Sequence, residues 1–126
     1  MDVLVELAEN QILETERLIL RPINLNDVES LFEYASDVEN TTHVFPTHLS
    51  KEETKSVIAK HYMRSPLGKY GIELKSENKL IGTIDLRVEQ EHKRGELGYA
   101  LNLKFTGNGY MTEAGLALLS LSFETL

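Results

Sequence analysis

The sequence predicts a single α+β domain, a mixed α/β arrangement in the order β-α-α-β-β-β-α. Three observations carry this expectation. A β-type run, ERLILRP at 16–22, precedes two helix-patterned segments. Two β-rich runs, 69–75 and 79–88, flank a polar turn. A third β run at 95–103 leads through a glycine loop into a helical segment that reaches residue 126. The length of 126 residues fits one domain spanning 1–126.

Residues 1–14 mix apolar and acidic positions without a period and read as a strand or helix extension. Pro22 ends the first strand because proline cannot donate to a ladder. Leu25, Val28, Leu31, Phe32 and Ala35 then recur at helical spacing, with Asn24 as cap and Asp27 in the first turn. Residues 37–49 read as a loop. Ser50 and Glu53 form a capping box that opens a second helix with Val57, Ile58 and Tyr62 as its buried stripe. Pro66 and Gly68 close it. Ser76-Glu77-Asn78 is the hairpin turn between the next two strands, and EQEHKR at 89–94 reads as a solvated turn.

Composition removes several classes of function. Hydrophobic residues at 41% and charged residues at 26% exclude a disordered tail and a membrane protein. Zero cysteines exclude disulfides, thiolate metal sites and cysteine nucleophiles. A net charge of −7 disfavours broad contact with nucleic acid and favours cationic ligands such as amines. No signal segment opens the chain, so the expected location is cytoplasmic. The four histidines at 43, 48, 61 and 92 lack metal-ligand spacing, and no metal is expected; His43 and His48 share one loop and read as surface residues, with a substrate-side role as the alternative.

The informative segment is KFTGNGY at 104–110. Gly107 and Gly109 let backbone approach a ligand, and the free N–H groups of the helix behind them can cradle a phosphate. A dinucleotide fingerprint would need glycine where Thr112 stands, and the Walker lysine is absent, with Met111 and Thr112 in its place.

ERLILRP, NLNDVESLFEYASD and GELGYALNLKFTGNGYMTEAGLALL together resemble the GNAT N-acetyltransferases, more narrowly the ribosomal-protein N-terminal and spermidine acetyltransferase branch. The resemblance runs from about Thr15 onward and implies a GNAT fold with a mostly antiparallel sheet. It implies acetyl-CoA as co-substrate, with the pantetheine arm on the backbone of Ala100, Leu101 and Asn102 at a splayed bulge. The pyrophosphate would lie on amides of the segment Gly107, Asn108, Gly109, Tyr110, Met111 and Thr112. Thr106 and Met111 depart from the family's Gln/Arg and Gly/Ala. The resemblance further implies Glu96 as general base, the Ala100 amide as oxyanion donor, and a primary amine (peptide N-terminus or polyamine) as acceptor. Glu73 is a second carboxylate candidate, though an outward-facing strand residue is the simpler reading, and Tyr99 reads as core or cleft lining. Strand alternation places Glu96, Gly98 and Ala100 on one face, and Leu97, Tyr99 and Leu101 on the other. Relatives continue past the third helix, so the chain is expected to lack the C-terminal third and to pair as a homodimer. The rival expectation is a non-catalytic CoA-binding or interaction module completed by a partner chain.

Overall fold

The computed structural model describes residues 3–42, 44–89 and 94–125. A five-stranded antiparallel sheet has the spatial order β1-β2-β3-β4-β5. Its strands are β1 (Leu13–Glu14), β2 (Leu18–Arg21), β3 (Lys69–Leu74), β4 (Lys79–Glu89) and β5 (Arg94–Leu101). One face packs against α1 (Val3–Glu9) and α5 (Tyr110–Thr125) through Leu7, Ala114, Leu118 and Leu121. The other packs against α2 (Val28–Ala35) and the segment after α4 (Lys51–Val57), through Leu31, Tyr34, Ala35 and Ile58. The short helix α3 (Val38–Thr41), read from sequence as loop, follows α2 directly. Segment 1–14 contributes both alternatives, one helix and one short strand.

The α2 segment starts as a 3-10 turn over Leu25–Asp27, held by a capping box between Asn24 and Asp27. That turn rotates the stripe, so Leu31, Tyr34 and Ala35 are buried while Leu25 stays exposed. Asp27 does more than cap. Its carboxylate takes Arg21 Nη1 and Nη2 at 2.9 and 2.8 Å and the Asn24 N–H at 3.0 Å. Arg21 Nε reaches Glu73 at 2.8 Å, so Glu73 is ion-paired rather than free in solvent. The Asp27 hydrogen bond, opposed by burial and aided by Glu73, holds the Arg21 guanidinium above its ordinary range. One cation thereby ties β2, β3 and the start of α2 together.

After α4 the helix widens to π-helical over Ile58–Met63, with Arg64 N–H donating to Ala59 O at 3.0 Å. Of the Ser50–Glu53 box only half forms as expected. Glu53 N–H donates to Ser50 Oγ, while the Glu53 carboxylate accepts from Leu49 N–H, one residue earlier.

The β3–β4 register shifts once: Ile72 opposes Gly82 and Glu73 opposes Leu80, leaving Ile81 as an extra residue. Two successive β4 residues then meet one residue of β3. Only Ile81 brings a side chain into the α5-side core; a Cβ on Gly82 would lie 2.5 Å from Ala100 O. Beyond the bulge Ile84 and Leu86 enter that core, and Thr83, Asp85 and Arg87 face the α2–α4 side. The β4–β5 pairing, by contrast, runs in unbroken register from Gly82↔Leu101 to Glu89↔Arg94. The bulge expected at the end of β5 is therefore found in β4 instead.

Candidate active site

The phosphate-sized loop is built by short-range hydrogen bonds. Asn102 is buried and caps a 3-10 turn over Leu103–Phe105 by accepting from Lys104 N–H. Thr106 N–H and Oγ1 both donate to Leu103 O, and Asn108 Nδ2 reaches the Phe105 and Thr106 carbonyls. Gly107 and Gly109 then take φ of +84° and +79°, which L side chains rarely adopt. Helix α5 begins at Tyr110, and Glu113 N–H donates to Gly109 O at 3.0 Å at its start. Among the described residues no carbonyl or side chain takes the N–H groups of 107–112. Met111 packs against the α5-side core and borders the same cleft as Gly107 and Gly109.

A half-buried carboxylate braces this loop. Glu113 accepts from Thr15 Oγ1, from Arg17 N–H at 2.9 Å and from Arg17 Nε at 2.7 Å. Arg17 Nη1 donates onward to Asn108 O at 2.8 Å, and its guanidinium lies 4.6 Å from the Tyr110 ring centroid. Burial pushes the Glu113 carboxyl up, but the Thr15 and Arg17 contacts outweigh it and hold the group below the usual carboxylate range. A depressed carboxyl contributes stability that is present above the unfolded value, about 4.3, and lost as pH falls through the folded value. The Glu113→Gln variant is therefore expected to melt lower than the parent at pH 6, with the gap closing as pH falls below about 4. Thermal melts of both proteins across that range check this; a gap independent of pH would refute it.

At β5 the Asn102 N–H donates to Ile81 O at 2.8 Å. By antiparallel alternation, residues 96, 98, 100 and 102 aim their main-chain groups at β4, and 97, 99 and 101 aim theirs at the opposite edge. The Ala100 amide, expected as the oxyanion donor, is thus engaged with β4. The edge donors are Tyr99 and Leu101. Asn40 of α3 borders this edge, giving Nδ2 to Leu101 O at 2.9 Å and taking Leu103 N–H at 2.8 Å.

Two clefts meet at this strand. The first, about 390 Å³, is lined by Ala100, Leu101, Gly107, Gly109, Tyr110, Met111 and Thr112, together with Asn40, Leu103, Phe105 and Thr106. Of the expected cofactor residues, Asn102 and Asn108 are absent from the lining: one caps the preceding turn, the other closes the loop from outside. The second cleft, about 500 Å³, lies between the sheet and the α2–α4 layer. Val44, Tyr99 and Ala100 border both, so Tyr99 is cleft lining, 64% exposed.

The second cleft holds what sequence reading missed. Thr83, Asp85 and Arg87 rise from β4, and His48, Glu53, His61 and Tyr62 approach from the helical layer. His48 is not a surface residue: it is 7% exposed, and its Nδ1 shares a 2.8 Å hydrogen bond with Thr54 Oγ1. Burial lowers its pKa, with Glu53 opposing. His61 stands edge-on to Tyr62, and burial together with Lys69 lowers its pKa as well. His43 and His92 lie outside the described residues. Glu96 lies on the same face as Gly98 and Ala100 but is exposed and lines neither cleft. The alternation of polar 83, 85 and 87 with apolar 84, 86 and 88 was the available signal for this cleft. Among the described residues no group of three or more His, Asp or Glu is arranged to hold a metal ion, and no helix is long and apolar enough to cross a membrane.

Residues 17–126, which include the amide cradle and the edge strand beside it, match the acetyltransferase (GNAT) domain model. The chain belongs to the GNAT acetyltransferase family. It is 35% identical over 120 residues to the uncharacterized N-acetyltransferase YoaA of Bacillus subtilis, covering 91% of this chain and 68% of the relative. The crystal structure of a GNAT-family acetyltransferase from Bacillus anthracis superposes with a TM-score of 0.77 at 26% identity, covering 90% of this chain and 67% of the other. RimL, a ribosomal L7/L12 α-N-protein acetyltransferase solved with coenzyme A, shares the fold at a TM-score of 0.70 and 23% identity, covering 86% and 66%. The enzyme class is thus that of an acetyltransferase. The chain spans about two thirds of the length of these GNAT relatives.

Proposed function

We propose that this GNAT domain transfers the acetyl group of acetyl-CoA to a primary amine. The cofactor takes the cleft beside loop 107–112, and the acceptor takes the cleft beneath α2 and α4. The single observation behind this reading is the run of unpartnered amides from 107 to 112, placed at the start of a sixteen-residue helix whose dipole favours an anion. An added Cβ on Gly107 would meet nothing within 4 Å, so no other part of the protein crowds the loop there.

When bound, acetyl-CoA supplies an acetyl thioester, which a neutral amine would take up as an amide, its proton passing to the departing thiolate to give the free thiol. The domain's own residues contribute placement. Main-chain groups of Tyr99 and Leu101 border the junction of the two clefts, and a donor there stabilises negative charge on the acetyl oxygen. Asp85 and Glu53 line the acceptor cleft and supply carboxylates that can receive the ammonium proton. Glu96 is not given that role, because it opens into neither cleft. Peptide N-termini and small polyamines are the acceptors that the family resemblance implies.

Isothermal titration with acetyl-CoA tests the reading directly, with saturable heat as the expected result. No heat at millimolar ligand would overturn it. Heat without acetyl transfer to any amine would leave a CoA-binding module.

A further inference from the structure

Resting on the acceptor role of the second cleft, the geometry points to Asp85 and Arg87 as a paired recognition site for the amino and carboxylate groups of an α-amino acid. The pair is joined through one contact only, Arg87 Nε to Asp85 Oδ2 at 2.8 Å. Its two remaining inner atoms stand side by side over β5. A Cβ on Gly98 would lie 2.7 Å from Asp85 Oδ1 and 3.0 Å from Arg87 Nη2. Neither atom has a further hydrogen-bond partner among the described residues. A free acceptor thus lies next to a free donor, both on the wall of the acceptor cleft.

That arrangement complements a zwitterion. An ammonium donates to Oδ1 while the carboxylate two bonds away accepts from Nη2. Glycine at 98 is what lets the pair lie this close to β5, because a Cβ there would press on both atoms.

A buried phenol lies behind the same cleft. Tyr34 lines it and is 1% exposed, yet its hydroxyl has no hydrogen-bond partner. Thr83 borders both Tyr34 and Tyr62 closely enough to affect their ionisation, without completing a hydrogen bond to Tyr34.

Charge decides between acceptor classes. Arg87 repels the second ammonium of a polyamine, and it attracts the carboxylate that a peptide N-terminus lacks. Glu96 faces Arg87 across the ladder but is exposed and screened by solvent. Glu53, on the helical side, is partly engaged with Leu49 N–H. Leu31, Phe45 and Val57 form an apolar wall suited to an aliphatic side chain.

L-leucine, L-leucinamide and spermidine, each titrated into the domain saturated with coenzyme A, provide the test. Leucine is expected to bind about fivefold or more tighter than leucinamide, and tighter than spermidine. Arg87→Gln is expected to erase the preference for leucine over leucinamide, and Asp85→Asn to weaken both. Coenzyme A binding, measured separately, is expected to be unchanged in both variants, which also reports that they fold. Leucinamide or spermidine binding as tightly as leucine would overturn the inference. So would a preference that survives Arg87→Gln, or no binding of any probe at about 10 mM against a typical substrate range up to 1 mM. Failure to bind coenzyme A at all would instead strike the function proposed above.

Discussion

Replacing Asp27 with alanine is expected to remove about 3 kcal/mol of stability, the largest loss for a single side chain outside the apolar cores. Two effects combine. The half-buried Arg21 guanidinium loses both contacts from Nη1 and Nη2 and keeps Glu73 and the Pro22 carbonyl. The Asn24 N–H at the entry to α2 also loses its acceptor. A buried cation stripped of its main partner costs far more than the pair contributes when intact. The double variant Arg21→Met/Asp27→Leu is therefore expected to recover most of the loss. Urea unfolding of the three proteins measures both; a double variant no better than Asp27→Ala would show that the cap, rather than the charge, dominates.

The second large effect is on ligand binding. Gly107→Val is expected to weaken acetyl-CoA binding about tenfold or more, since backbone strain of about 1–3 kcal/mol must be relieved by moving the loop. The substitution is informative because an added Cβ meets no atom within 4 Å, so sterics within the protein contribute nothing. What changes is the cost of φ at +84° for a β-branched residue, and with it the aim of the amides. Titration calorimetry alongside a melt separates the outcomes. Unchanged affinity would mean that these amides do not hold the cofactor.

Much of this architecture was legible in the chain. The strand at 16–22, the hairpin around Ser76–Asn78 and the helix from Tyr110 follow from patterns that local packing enforces. The glycine loop was legible too, because positive φ at 107 and 109 leaves few alternatives to glycine. Asn40 was not. It sits in a segment that reads as loop, and its importance lies in clamping Leu101 and Leu103 some sixty residues away. Strand β5 ends there for a tertiary reason that no local pattern records. His48 failed similarly, since burial by Thr54 and Phe45 is a property of how α4 docks. Asp85 and Arg87 were not singled out either. They face a cleft only because α2 and α4 roof that side of the sheet.

The doubled position at Ile81 and Gly82 makes this strand unequal along its length in its tolerance of altered spacing. A residue removed between 83 and 86 would invert everything that follows, turning Ile84 or Leu86 outward and swinging the Asp85–Arg87 pair into the apolar side. Loss of Ile81 itself would restore simple pairing with β3 and leave each later side chain on its present face, at the expense of filled core volume and local twist. Shortening is thus survivable at one point of β4, and the orientation of the acceptor wall is insulated from it.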